Sequence, residues 1–137
     1  MIWLVWAMHH DLFEKAEVIT RKTFLVNGIW LFLLTIVPFT TAWVGSAPYS
    51  FLPEFLYPLN LLLWSAAFQL LDYEIRRDNP EMPKDVSSNR RARFFLYIVC
   101  FACMILAFLQ PVFSIRLVGI STLIMFVRFF LPGKKTA

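Results

Sequence analysis

The chain has 137 residues, 59% of them hydrophobic and 18% aromatic, with a mean hydropathy of +0.65 and a net charge of +4. Its apolar residues come in long uncharged blocks. That pattern excludes both an amphipathic soluble domain and the ten-residue alternating strands of a membrane barrel. What fits is a single-domain, all-α integral membrane protein, because a spanning segment has to satisfy its own backbone hydrogen bonds. The positive charges lie beside the apolar blocks, where anionic headgroups and the membrane potential explain them, so no nucleic-acid partner is expected.

The first element opens at Met1 inside an apolar run of eight residues that ends at His9 and His10. A spanning helix needs about 20 apolar residues to cross ~30 Å of hydrocarbon, so this run is expected to be the last two turns of a partial helix. It leads into a cytoplasmic connector, the two together occupying residues 1–22. The first full span is predicted over 24–45, free of charge, followed by an external turn over 46–53 that holds Pro48 and Pro53. The second span covers 55–71 and stops at Asp72. Residues 72–93 mix both charge signs with Pro80, Pro83, Ser87, Ser88 and Asn89, the composition of helix ends joined by a solvated loop.

From 94 to 131 the chain is almost continuously apolar. As one helix it would extend about 57 Å and overshoot the bilayer, so it is expected to fold back. Gln110-Pro111 is the predicted turn, since proline cannot donate a backbone hydrogen bond and disfavours helix in the residue before it. Spans over 94–109 and 112–131 result. The fold class is therefore four complete transmembrane helices in two hairpins plus an N-terminal partial helix.

Charge sets the orientation. Twelve of the thirteen Lys and Arg residues fall on one side of these spans, which the positive-inside rule makes cytoplasmic. A multi-pass protein of the cell membrane follows, with both ends of this chain inside. Arg116 is the exception, placed near a helix end where it can snorkel. No basic n-region and no small-residue cleavage site accompany the opening run, so no signal peptide is read.

Candidates for chemistry are few. Cys100 and Cys103 share a helix face at i and i+3, as a membrane thiol oxidoreductase would require. Their neighbours Phe101, Met104 and Ile105 supply no cation to lower a thiol pKa, which favours two small packing residues. His9 and His10 are adjacent and so point in different directions on a helix, without evident third and fourth metal ligands. No cofactor or catalytic constellation emerges, and an enzyme is not expected. Polar residues within spans carry more weight. An unpaired amide in hydrocarbon is costly, so Asn27 and Asn60 should face other helices or a water-filled path. Gly28, Ser65, Ala66, Ala67, Gly119 and Ser121 mark expected close helix approaches, and Trp30, Trp43, Tyr49 and Tyr57 read as packing or interfacial anchors.

One longer pattern runs through most of the chain. The string Val5-Trp6-Ala7-Met8-His9-His10-Asp11-Leu12-Phe13 resembles the Trp-x-x-His-His-x-Leu-Phe signature that ends the second helix of bacterial relatives of transmembrane protein 175, a potassium channel. Asn27 with Pro38-Phe39-Thr40-Thr41-Ala42 and Gly45 resembles the third helix of that family. The segment Tyr57-Pro58-Leu59-Asn60-Leu61-Leu62-Leu63 is similar to the fourth, and the hairpin around Pro111 ending at Leu131-Pro132-Gly133 to the fifth and sixth. Met8, Asp11 and Thr40 depart from the residues often found in the relatives.

The resemblance implies a potassium-selective cation channel in the lipid bilayer. It further implies six helices per repeat and a homotetramer around a central pore. That pore is lined mainly by a first helix opening with an Arg-x-x-x-Phe-Ser-Asp motif, which these residues do not contain. The expectation is thus a member lacking its pore-lining first helix and of doubtful activity alone. By the same resemblance Trp6, His9, His10, Phe13, Asn27, Pro38 and Asn60 are structural or gating candidates, with Trp6, His10 and Phe13 sharing one helix face. His9 or His10 would meet the first helix's motif through a polar contact. The competing reading is a non-conducting membrane scaffold or assembly subunit.

Overall fold

A computed structural model describes residues 2–82 and 90–109, together with 116, 117, 119, 120 and 123. Every regular element among the described residues is a helix: α1 (Ile2–Glu14), α2 (Arg21–Ser46), α3 (Phe51–Asp78) and α4 (Arg90–Leu109). Two of them, α2 and α3, are long and apolar enough to cross a membrane, whereas the apolar part of α4, Phe94–Leu109, is shorter. At 26 and 28 residues, α2 and α3 extend ~40 Å each.

Local chemistry explains the bounds. Thr20 stands in an extended conformation before α2 and its hydroxyl accepts from the Thr23 N–H, as an N-cap does. Pro38 does not stop the helix. Ending it in apolar surroundings would orphan several backbone groups, whereas the proline removes one bond. The Thr40 hydroxyl donates to the carbonyls of Ile36 and Val37, and the Thr41 hydroxyl to that of Val37. On α3 the first turn accommodates Pro53, whose missing N–H would have no intrahelical acceptor there, and Glu54, whose charge suits a helix N-terminus. These two residues look like turn residues in the sequence, which is why the predicted span starts at 55 and the observed helix at 51. At the other end α3 continues past Asp72, helped by the i,i+4 pair of Asp72 with Arg76 at 3.0 Å. The predicted turn at Gln110-Pro111 and most of the predicted span 112–131 lie outside the described residues; 116, 117, 119, 120 and 123 are helical.

The helices α2 and α3 run antiparallel and form the centre of the bundle. Leu12, Val26, Leu71, Ile75 and Met82 pack at the charged end; Val5, Trp30 and Ala67 follow; Val37, Leu61, Val99, Cys100 and Cys103 fill the apolar half, where Leu117 also packs. Thus α1 lies along α2 and α3 with Leu12 at one end and Val5 further up, while α4 closes over the apolar half. The outward surface carries Phe24, Phe32, Phe39, Phe94, Phe101 and Phe108, each at least 60% exposed. Hydrocarbon accommodates such a surface and water does not. Ser65 and Ala67 are buried as their small size predicts, but Gly28 and Ala66 are exposed, and nothing lies within 4 Å of a Cβ built on Gly28. Gly28 makes no close helix approach among the described residues.

Candidate functional site

The two histidines diverge, as adjacent helical positions must. His9 turns toward α2, and its Nε2 lies 2.9 Å from Asn27 Oδ1. An amide oxygen only accepts, so His9 Nε2 is the donor of this bond. The imidazole stacks between Phe13, with centroids 4.5 Å apart, and Trp30, 4.7 Å away and tilted by 8°. Trp30 continues the ladder to Trp64 at 6.2 Å and Phe68 at 5.7 Å. Three helices thereby contribute to one aromatic stack with a polar pair at its edge. The indole Nε1 atoms of Trp30 and Trp64 are buried there without a hydrogen-bond partner among the described residues. In apolar surroundings each is a donor seeking an acceptor.

His10 lies on the outside, stacked 4.8 Å over Trp6 with 6° between the rings, and Trp6 itself is exposed. Phe13 does not join that pair. It is half-buried against the charged-end cluster and under His9, at the inner edge of the helix face it shares with Trp6 and His10. Pro38 and Asn60 lie further up, away from the ladder. Asn60 is only 6% exposed, and its Nδ2 has no hydrogen-bond partner among the described residues. Cys100 and Cys103 are fully buried among Val37, Leu61 and Val99, positions that suit packing. Among the described residues no three His, Cys, Asp or Glu side chains come together as a metal site would need.

A second polar constellation was not legible as a site in the sequence. Asn79 Oδ1 accepts from the backbone N–H groups of Glu17 and Val18, at 3.0 and 2.8 Å. Its Nδ2 donates to the carbonyls of Val18 and Ile75, both at 2.8 Å. Asp78 Oδ2 accepts from the hydroxyls of Thr20 and Thr23 at 2.7 and 2.9 Å. Those two hydroxyls, with Arg77 beside them, hold the Asp78 carboxyl below its ordinary range. Glu74 is 2% exposed and pairs with Lys22 at 2.7 Å and Arg77 at 3.0 Å. Together these groups clasp the α1–α2 connector and the start of α2 to the end of α3. The local signal that could have pointed to it is the Thr20-x-x-Thr23 cap pattern; the partners are more than fifty residues away in sequence.

The fold and these sites define a helical bundle of membrane type, with polar contacts between helices. Over 83 residues the chain is 26% identical to a potassium channel of Chryseobacterium sp. (strain P1-3). The match takes in 61% of this chain and 43% of the relative, so the chain spans less than half the length of the curated relative it matches. No family model and no solved structure matches it.

Proposed function

We propose that this chain is a potassium-channel polypeptide of the kind related to transmembrane protein 175, and that it acts in transport and not in catalysis. The similarity to the Chryseobacterium channel carries the reading. Two apolar helices of spanning length and a surface of exposed phenylalanines support a place in the lipid bilayer. In this reading α2, α3, α4 and the span predicted over 112–131 all cross the membrane. The charged end faces the cytoplasm, and copies assemble as a homotetramer.

The resemblance assigns the ladder a role within that frame. His9 and Asn27 stand where the family places its signature histidine and its third-helix asparagine, and the structure joins them at 2.9 Å. The free indole donors of Trp30 and Trp64 next to them suit an acceptor on a partner helix, such as the aspartate of an Arg-x-x-x-Phe-Ser-Asp motif. The ladder would then hold a pore-lining helix in place and not touch potassium itself.

Potassium flux decides between this and a scaffold. The protein expressed from its complete reading frame, reconstituted in liposomes, should pass potassium faster than empty vesicles, and His9→Leu or Asn27→Leu should reduce that flux. Flux equal to that of empty vesicles overturns the channel reading in favour of a scaffold. Wild-type flux in both variants overturns the role given to the ladder.

A further inference from the structure

We infer that the first turn of α4, which carries Arg90, Arg91 and Arg93, binds the phosphate of an anionic phospholipid drawn deeper into the bilayer than the headgroups around it. The inference rests on the transmembrane placement of α3 and α4 proposed above and not on conduction. Register supplies the depth. At the outer end Phe108 of α4 meets Phe51 and Phe55 of α3, with ring centroids 4.5 and 5.8 Å apart. Counting along the two antiparallel helices from there brings Cys100 level with Leu61, and these two share a packing cluster. The same count brings Arg93 level with Phe68 and Arg90 level with Leu71.

Phe68 lies inside the apolar part of the bundle. The first charge after it on α3 is Asp72, four residues or ~6 Å further on, and its ring packs on Trp30, eight residues inward from Lys22 on α2. The basic turn of α4 therefore starts where α2 and α3 are still apolar. The same shortfall shows along α4 itself, whose apolar part Phe94–Leu109 extends ~24 Å against the ~30 Å of a hydrocarbon core. An arginine at such depth is costly unless an anion meets it. Residues 24–46, 55–71 and 94–131 contain no Asp or Glu, Glu54 lies at the outer end, and Asp72 is taken by Arg76 at 3.0 Å. Asp11 belongs to α1, which packs on another face of α3 through Val5 against Ala67 and Leu12 against Leu71. The anion at hand is a headgroup phosphate of the cytoplasmic leaflet, which thins locally to reach the short helix. All three basic residues are arginines, whose planar fork suits phosphate.

The unfolding midpoint of the full chain in lipid nanodiscs tests this. Replacing roughly one-fifth of the phosphatidylcholine by phosphatidylglycerol should raise the midpoint, and the rise should fall to about half or less in Arg91→Gln/Arg93→Gln. Lys134→Gln/Lys135→Gln, which removes as much charge elsewhere, should keep the full rise. A rise that is absent in the wild type, undiminished in the arginine variant or equally diminished in the lysine variant overturns the inference. So does an equal rise on adding inorganic phosphate to pure phosphatidylcholine discs, which would make the ligand a soluble anion. Lipid retained on the purified wild type is the second measurement. Phosphatidylglycerol should be enriched about threefold or more over the bulk mixture, and retention in bulk proportion overturns the inference even where the arginine variant fails to fold. Neither measurement reads conduction, so absence of potassium flux would overturn the channel reading alone.

Discussion

At the charged end of the α2–α3 pair, Asn79 uses all four hydrogen-bonding positions of its amide within 3.0 Å, and Asp78 and Glu74 are each held by two partners. In the apolar half Val37, Leu61, Val99, Cys100 and Cys103 meet by shape, and the Asn60 amide has an unpartnered nitrogen among the described residues. The contrast follows from the surroundings. Near the bilayer surface water competes for every polar group, so a defined geometry needs several directional bonds acting together. Deeper in, lipid is as apolar as leucine and gives helices no hydrophobic reason to associate, so close packing and the few polar contacts specify the arrangement.

The comparison can be broken most sharply at Asn79. Asn79→Asp keeps the shape but removes both donors, leaving the Ile75 carbonyl with the Asn79 backbone N–H alone and the Val18 carbonyl without its side-chain partner, and places a negative charge at the C-terminal end of α3. A loss of about 3 kcal/mol is expected, read as a lowered unfolding midpoint and as faster hydrogen exchange at the Glu17 and Val18 amides. In the apolar half, Leu61→Ala should cost about 2 kcal/mol through lost packing, without changing exchange at Glu17 and Val18. If both variants loosened the connector equally, the two regions would be one cooperative unit.

Smaller changes sharpen the same contrast. Glu74→Gln should cost about 1 kcal/mol, because its partners Lys22 and Arg77 are half exposed and keep their hydration once the pair is lost; raised salt should weaken the wild type toward the variant. Asp78 gives the charged end a dependence on pH. Its folded pKa is depressed by Thr20 and Thr23, so its contribution is whole above the ordinary carboxylate value and drains away as pH falls through the folded one. An Asp78→Asn variant should therefore show a flatter fall of unfolding midpoint on acidification below about pH 4 than the wild type. Gly28→Ala is the mildest test. A Cβ there meets open space, so the variant should gain about 0.5–1 kcal/mol as an isolated subunit. A loss instead of a gain would show that this face of α2 packs closely against another copy.

The parts that were legible in the sequence rest on local chemistry. Uninterrupted apolar runs announce α2, α3 and α4, since hydrocarbon leaves a helix as the only economical way to satisfy the backbone. The divergence of His9 and His10 follows from their adjacency on one helix. The start of α3 was misplaced because Pro53 and Glu54 suit a turn and a first helical turn equally, since in neither does the proline's missing N–H cost a helical bond. Residues 72–78 read as part of a loop for a similar reason: their charges look solvated until Lys22 and Thr23 are brought to them from α2.

By itself, then, the sequence determined the helical class, the apolar segments and the two asparagines that had to find polar company. Tertiary structure alone decided what company they keep: Asn27 with His9 at the edge of an aromatic ladder, Asn60 buried on α3 one turn from Trp64. It also decided that Asn79 would lock the connector to α3. Local propensity acts over a turn or two of helix, whereas these pairings depend on how three helices slide past one another. That register is set by the summed packing of side chains far apart in the chain, which no short stretch of residues records.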